Sequence, residues 1–257
     1  MKKILNFIFL LLIACNASDS TKQITEPEAI DPASTKILFI GNSITYYNQM
    51  PAIFKSMAEA GGKNTYVFQW VQGGVVLGYF ALNPIAPEVI YKTKWDYVIL
   101  QDGDYHIIYP EEHQRLAGYV NSLKNLILGN NPDTKILFHM LHALKDGLFH
   151  DNVYYDYTAF TQKIIEGTTA FAKLVDLKIS PVGIAWNDIV VNHPEIELYN
   201  PDNMHPTYAG SYLIACVNYS AIFKTSCVGN SFSGNLSADD ARTIQTVASE
   251  TVLNYDN

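Results

Sequence analysis

The sequence is short of basic residues, of cysteines and of long apolar runs. It has 17 Lys and Arg against 25 Asp and Glu in 257 residues, which gives a formal net charge of −8. Proteins that bind nucleic acid need clustered Lys and Arg to contact phosphates, and no such cluster occurs along this chain. The composition therefore argues against nucleic acid as a partner. The chain also lacks internal repeats and low-complexity segments, while 48% hydrophobic residues provide for a sizeable core.

The segment from Ile4 to Ile13 is almost continuously apolar and is too short to span a bilayer. It follows the basic Met1-Lys2-Lys3 and ends at Ala14-Cys15, which resembles a signal of the bacterial lipoprotein type. This resemblance implies cleavage before Cys15, diacylation of its thiol, and export to the periplasm or cell surface on a lipid anchor. The alternative is an ordinary signal peptide with a chance cysteine. Residues 1–15 are thus predicted as the signal, and the polar residues 16–34 as a flexible tether.

Two cysteines remain beyond the predicted signal, Cys216 and Cys227. Because the periplasm is oxidising, an exported protein can bridge such a pair. Cys216, however, lies in an apolar stretch of helical character, where a free buried cysteine is ordinary. Both possibilities stay open at this point.

From residue 35 onward, short apolar segments alternate with helical patterns. Continuous apolar strands separated by helices indicate a parallel sheet that is covered on both faces. We therefore predict for residues 35–257 a single three-layer α/β/α domain with about five parallel strands. The predicted strands cover 37–40, 66–71, 97–100, 136–140 and 179–182, and the predicted helices cover 51–60, 110–128, 155–174, 184–191, 207–223 and 238–255.

Several polar or glycine residues directly follow predicted strands. Ser43 follows the first strand, Gly73-Gly74 the second and Gln101 the third. In parallel α/β sheets, ligands bind beyond the carboxyl ends of the strands. These positions are therefore expected to meet at one edge of the sheet.

A second polar motif, Asp202-Asn203-Met204-His205-Pro206, stands on a late loop before the predicted helix at 207–223. A serine hydroxyl is a weak nucleophile until a base takes its proton, and a histidine needs an acidic partner to hold its ring. Asp202 is spaced to accept from His205 Nδ1, which leaves Nε2 facing Ser43. The predicted catalytic residues are Ser43, His205 and Asp202.

These motifs resemble the SGNH, or GDSL-type, serine hydrolases. Gly41-Asn42-Ser43-Ile44 is similar to the first block of that family, Gly73-Gly74 to its oxyanion glycine and 202–206 to its Asp-x-x-His-Pro block. The resemblance covers about residues 36–223. It implies an SGNH or flavodoxin-like fold, ester hydrolysis through an acyl-enzyme, oxyanion donors at Gly74 and Gly73, and no metal or other cofactor.

The chain departs from the family's third block, Gly-x-Asn-Asp, whose Asn donates to the oxyanion. Here the third strand ends in Leu100-Gln101-Asp102-Gly103-Asp104, and no Asn is present. The amide of Gln101 is the predicted substitute donor. Losing one oxyanion donor typically costs about 10²–10³ in rate.

The expected substrate is a small acyl ester, with acetyl as the first candidate, carried by a small molecule or a glycan. One alternative is an inactive scaffold that binds glycans as a lipoprotein, and it requires that Ser43 lie beyond hydrogen-bond reach of His205. The other is a metal-dependent phosphoesterase, for which the sequence offers possible metal ligands. These are Asp102, Asp104, His106, His139 and His142. His139 and His142 are also expected to line the substrate cleft.

Overall fold

A computed structural model describes residues 30–103, 105–150 and 152–255. The predicted signal, the lipid-bearing Cys15 and most of the predicted tether lie outside these residues. The described chain forms a compact unit from Asp31. Within it, no helix is long and apolar enough to cross a membrane.

The strands form one parallel sheet and one small hairpin. The main sheet contains five strands in the order β2-β1-β3-β4-β7, and all its pairings are parallel. Strands β5 and β6 form a separate antiparallel hairpin. The predicted five-stranded parallel sheet is therefore confirmed, whereas the hairpin was not predicted. The strands are β1 (Thr35–Gly41), β2 (Thr65–Val71), β3 (Tyr97–Leu100), β4 (Lys135–His139), β5 (Leu148–His150), β6 (Val153–Tyr155) and β7 (Lys178–Ser180).

Helices connect the strands of the main sheet and follow the predicted positions with local differences. The long helix expected from residue 110 begins with a separate 3-10 turn, and α7 starts directly after a fifth strand that is shorter than predicted. The helices are α1 (Ser43–Tyr46), α2 (Met50–Ala60), α3 (Leu77–Ala81), α4 (Ala86–Ile90), α5 (His113–Asn130), α6 (Tyr157–Val175), α7 (Val182–Asn192), α8 (Tyr208–Phe223) and α9 (Ala238–Asn254). Short 3-10 turns occupy Tyr47–Gln49, Tyr105–Ile108 and Pro110–Glu112.

The sheet is buried on both faces because side chains alternate along each strand. In β1, Ile37 and Phe39 pack into one hydrophobic cluster with helices α2, α7, α8 and α9. Leu38 and Ile40 point the other way, into a cluster with α3, α4, α5 and α6. This arrangement is the predicted α/β/α sandwich, and it explains why β1 is apolar at four consecutive positions, Ile37 to Ile40.

The strand order creates a crevice at the carboxyl ends of β1 and β3. From β1 the chain goes first to β2 on one side, and the next strand, β3, lies on the other side of β1. Connections that leave a sheet in opposite directions open a gap beyond the strand ends, and open α/β proteins bind ligands there. Ser43 follows β1 and Gln101 follows β3, so both lie at this switch point.

Cys216 and Cys227 are both buried and form no disulfide. Cys216 lies within α8, which is buried along nearly its whole length. Burial raises the pKa of the Cys216 thiol. Cys227 contacts Ser249 on α9 through its sulfur. In this structure the pair serves the packing of α8 against α9.

Candidate active site

Ser43, His205 and Asp202 form a continuous hydrogen-bonded chain. His205 Nε2 lies 2.9 Å from Ser43 Oγ, and His205 Nδ1 lies 2.7 Å from Asp202 Oδ2. Both distances fall within the reach expected for a nucleophile, its base and the group that orients the base. The structure therefore brings the three predicted residues together although Ser43 and His205 are 162 positions apart.

The loop that carries His205 is held by its own backbone. Asn200 N–H donates to the carbonyl of His205 at 2.8 Å, and Thr207 N–H donates to Leu198 O at 2.9 Å. Asn203 adopts a left-handed conformation with φ of 59°, which Asn tolerates better than most residues. These bonds close the loop into a narrow turn that presents the imidazole toward β1.

Asp202 is fixed by backbone donors as well as by the imidazole. The backbone N–H groups of His205 and Met204 donate to Asp202 Oδ1 at 2.9 and 3.0 Å. These backbone bonds, with the ring of His205, lower the pKa of Asp202 from 3.8 to about 2. The carboxylate is therefore charged throughout the neutral range and accepts from Nδ1, so the tautomer left with a free lone pair at Nε2 can take the proton of Ser43.

The turn that carries Ser43 is braced from below by Gln101. Gln101 Oε1 accepts from the Asn42 N–H and from the Thr45 hydroxyl, each at 2.8 Å. Its Nε2 donates to the carbonyl of Asp102, and the side chain is only 1% exposed. Among the described residues that line the site cavity, Gln101 does not occur. We therefore correct the prediction that Gln101 donates to an oxyanion: its carbonyl oxygen faces the serine turn, and its amide faces backbone.

The loop after β2 carries Gly73 and Gly74 to the cavity beside Ser43. Gly74 has φ of +70°, a conformation that favours glycine, and a Cβ at Gly73 would lie 2.7 Å from the Tyr46 hydroxyl. The loop is anchored by Asn42 Nδ2, which donates to Val75 O at 3.1 Å. Backbone N–H groups of a fixed glycine loop next to a nucleophile are suited to hold a developing oxyanion.

Asp102 and Gly103 complete this support. Asp102 Oδ1 accepts from Leu77 N–H at 2.7 Å and so fixes the start of α3. A Cβ at Gly103 would lie 2.0 Å from Asn42 Nδ2 and 2.4 Å from Val75 O. Gly103 thus allows Asn42 and the glycine loop to approach each other. The sequence did not reveal this role, because Gly103 lies where the chain differs from the family's Gly-x-Asn-Asp block.

A cavity of about 640 Å³ opens above Ser43 and His205. Its lining combines aliphatic and aromatic side chains. The ring of Tyr47 stacks on the His205 imidazole at 4.4 Å with an interplanar angle of 12°. The volume and the mixed lining are typical of a small-molecule site. The aliphatic lining residues include Leu141, Leu144, Leu148 and Met204, and the aromatic ones are Tyr46, Tyr47 and Tyr105.

His142 contacts the backbone of the loop that carries His205, and sequence reasoning missed this contact. His142 Nε2 donates to the carbonyl of Met204 at 2.9 Å, and its ring stacks on Trp186 at 3.8 Å. Burial lowers the pKa of His142 to about 4, so the ring is neutral at neutral pH. His139 is also buried, which lowers its pKa to about 3. Neither histidine is among the described residues that line the cavity, so the expectation that they line the cleft is wrong.

Asn48 is a second residue that sequence reasoning missed. Its Nδ2 donates to Pro206 O at 2.9 Å and to Ser211 Oγ at 3.0 Å. The Ser211 hydroxyl in turn donates to Tyr47 O at 3.1 Å. These bonds tie the segment after Ser43 to the segment after His205. The only local signal was polar Asn48-Gln49 between two helical patterns, where both residues take positive φ.

Two of the residues suggested as metal ligands have other hydrogen-bond partners in the structure. Asp102 bonds to the backbone of Leu77, and His142 to that of Met204. Within residues 30–103, 105–150 and 152–255, no group of three or more His, Cys, Asp or Glu is placed to hold a metal ion. Asp104 lies outside these residues.

The chain is similar in fold to several solved structures. A DUF4886 family protein from Bacteroides uniformis superposes with a TM-score of 0.75 and 19% identity, covering 86% of this chain and 95% of that one. A candidate SGNH hydrolase from Slackia heliotrinireducens superposes with a TM-score of 0.58 and 22% identity, covering 73% of this chain and 98% of that one. An acetyl xylan esterase superposes with a TM-score of 0.56 and 16% identity, covering 72% of this chain and 98% of that one.

No protein-family model matches the chain, and no curated protein matches it. At these identities the similarity establishes the fold alone. The structural relatives include SGNH and GDSL-like hydrolases and esterases, in agreement with the five-stranded parallel sheet between helical layers. The chain therefore has the α/β/α fold of the SGNH-type hydrolases.

Proposed function

We propose that the protein is a serine esterase that hydrolyses small acyl esters through an acyl-enzyme. The observation that carries this proposal is the unbroken chain from Ser43 Oγ through the His205 ring to Asp202, with spacings of 2.9 and 2.7 Å. A scaffold that only binds ligands has no need to keep a hydroxyl, a base and a carboxylate in this register. The geometry therefore favours catalysis over the inactive scaffold.

In the proposed reaction, Ser43 Oγ attacks the acyl carbon while His205 Nε2 takes the hydroxyl proton. The carbonyl oxygen becomes an oxyanion, for which the backbone N–H groups of Ser43, Gly73 and Gly74, residues that line the cavity, are the proposed donors. His205 then gives its proton to the departing alcohol oxygen as the ester bond breaks. A water molecule attacks the acyl-enzyme by the same route, and the acid and free Ser43 are released. Asp202 stays ionised and stabilises the charged imidazole.

The substrate we favour is an acetyl or similarly short acyl ester on a carbohydrate. The cavity of about 640 Å³ accommodates a short acyl group against its aliphatic residues and a sugar ring against its tyrosines. One of the similar structures is an acetyl xylan esterase, which makes acetylated oligosaccharides a natural first panel.

The test is hydrolysis of an aryl acetate by residues 16–257, with Ser43→Ala as the key variant. Ser122→Ala, an exposed serine on α5, is the matched control. We expect Ser43→Ala to lose at least about 10³-fold in kcat, since a triad acts as a unit, while Ser122→Ala keeps wild-type turnover. Activity that survives Ser43→Ala, or that disappears with a chelator, contradicts the proposal. Butyrate and octanoate esters and acetylated xylo-oligosaccharides then rank the substrates.

We also propose that the mature protein is exported and carried on a membrane by a lipid at Cys15. The support is the sequence alone, namely the basic start, the short apolar run and Ala14-Cys15. Metabolic labelling with a radioactive fatty acid tests it. We expect label on the wild-type chain and none on Cys15→Ser, and label that persists on Cys15→Ser contradicts it.

A further inference from the structure

Lysines that are scattered in the sequence meet at the edge of the sheet opposite the active site. Three adjoining cavities open there, and the first and third each share residues with the second. Half of the twelve lysines among the described residues line them. We call this surface the lysine face, and its lysines are Lys36, Lys124, Lys135, Lys173, Lys178 and Lys224.

The parallel sheet explains why these lysines converge. Lys135 and Lys178 are the first residues of β4 and β7, and Lys36 is the second residue of β1. Parallel strands all begin at one edge of the sheet, so these residues share that edge, although Lys178 pairs with Leu137, two residues beyond Lys135. Helix ends add further lysines: Lys173 lies in the last turn of α6, and Lys224 follows α8.

The lysine face carries an excess of positive charge on an acidic protein. Among the described residues, the acidic ones that line the same cavities are Asp96, Asp133 and Asp176. Asp176 forms an ion pair with Lys124 at 3.7 Å, and a carboxylate oxygen of Asp96 accepts from the backbone N–H of Lys36 at 2.7 Å. Lys135, Lys173 and Lys224 are exposed. The described lining residues thus include six lysines and three carboxylates in a chain of net charge −8, and this local excess of positive charge attracts anionic surfaces.

We propose that the lysine face docks on the anionic phospholipid headgroups of a membrane, with the active site directed away from it. The described chain enters the fold at Asp31–Ser34, and Pro32, Ala33 and Ser34 line one of the three cavities of the lysine face. Sixteen positions separate Cys15 from Asp31, and a fully extended chain of that length spans at most ~55 Å. A tether of that reach does not orient the domain, whereas charge complementarity does.

The site and the lysine face lie at opposite ends of the strands. β1 has seven residues, which corresponds to roughly 23 Å between its ends. Docking by the lysine face therefore leaves the cavity at Ser43 open to substrates beyond the membrane. The proposal does not depend on whether the cavity hydrolyses esters.

The test is flotation of residues 16–257 with vesicles, since both hydrophobic clusters lie wholly between Ile37 and Tyr255. Vesicles of phosphatidylcholine with one third phosphatidylglycerol are compared with pure phosphatidylcholine. The key variant replaces the exposed Lys135, Lys173 and Lys224 by Gln. Its matched control replaces three lysines that do not line these cavities, Lys55, Lys92 and Lys163, by Gln. Circular dichroism and thermal melting check that both triple variants fold.

We expect binding to the anionic vesicles at low salt, no binding to the neutral ones, and release in 0.5 M NaCl. Each surface lysine contributes about a factor of five to binding of an anionic bilayer, so the key variant should bind roughly 10²-fold more weakly. The control should stay within about threefold. No binding at low salt overturns the proposal, and so does an equal loss in both variants. Displacement by low millimolar inorganic phosphate would point instead to a site for a soluble anion and would also overturn it.

Discussion

The hydrogen bonds from Asn42 and Thr45 to Gln101 give a prediction that separates a structural role of Gln101 from a role in catalysis. Gln101→Met keeps the approximate volume and removes the polar end. In the wild type, the Asn42 N–H and the Thr45 hydroxyl both donate to Gln101 Oε1 at 2.8 Å. The substitution leaves these two buried donors without an acceptor. A buried donor left without a partner costs about 1–3 kcal/mol. We therefore expect Gln101→Met to lower the free energy of unfolding by about 2–4 kcal/mol.

Thr45→Val is the matched partner, because Thr45 is 2% exposed and Val has nearly the same shape. It removes one donor while Gln101 still accepts from Asn42, so we expect a loss of about 1 kcal/mol. In the double variant, the hydroxyl that Gln101→Met would strand is already gone. The combined loss should therefore fall short of the sum by about 2–3 kcal/mol, as in a double-mutant cycle between contacting residues.

The assay is urea unfolding at pH 7, followed by far-UV circular dichroism, with kcat for an aryl acetate measured beside it. One result would refute the reasoning. If Gln101→Met leaves stability within about 0.5 kcal/mol of wild type but loses 10²–10³ in kcat, the amide acts on the oxyanion as the sequence first predicted. An additive double variant would likewise show that Thr45 and Gln101 do not share a bond.

Three further predictions concern the loops around the site. His142→Phe keeps the ring stack on Trp186 but leaves Met204 O without its donor. We therefore expect kcat to fall about tenfold in His142→Phe and to recover in part in His142→Gln. An unchanged kcat in both variants would contradict this prediction. In Gly103→Ala the new methyl group would lie 2.0 Å from Asn42 Nδ2, and we expect a thermal midpoint lower by several degrees with kcat reduced at least about tenfold. The pKa of Asp202 is lowered from 3.8 to about 2, so its contribution to stability is present above pH 3.8 and lost as pH falls toward 2. Since this carboxylate is half exposed, we expect under about 1 kcal/mol, seen as a stability gap between wild type and Asp202→Asn at pH 6 that closes near pH 2.

The fold was predictable because the local patterns agree with the global one. Strand β1 is apolar at Ile37, Leu38, Phe39 and Ile40, and both faces of the sheet are indeed covered. The hairpin at 148–155 was not predictable, since His150 and Val153 flank a turn without the Gly signal of tight hairpins. The small helices α3 and α4 are one-turn segments whose residues take their shape from packing on α5 rather than from periodicity.

The residues of the site also fall into those that the sequence could point to and those that only the fold revealed. Ser43, Asp202 and His205 could be singled out as one hydrogen-bonded set because nucleophilic catalysis demands those residue types, and the Asp–His spacing is local. The roles of Gln101, His142 and Asn48 could not, because each depends on a partner more than 50 positions away. A glutamine after a strand can point its amide into a cavity or under a turn, and only the packed fold decides which. Buried polar groups are therefore assigned reliably only when their partners are known.

The bonds between the segment after Ser43 and the segment after His205 have a consequence for when the protein becomes reactive. A chain is made from its N-terminus at about 5–20 residues per second, so synthesis of the 162 positions from Ser43 to His205 takes roughly 8 to 30 s. During that time the serine has no base, and Asn48 has no Pro206 or Ser211 to bind. The hydrolysis that we propose therefore has to wait until the last third of the polypeptide is made, and a chain that ends before His205 would carry Ser43 without its base.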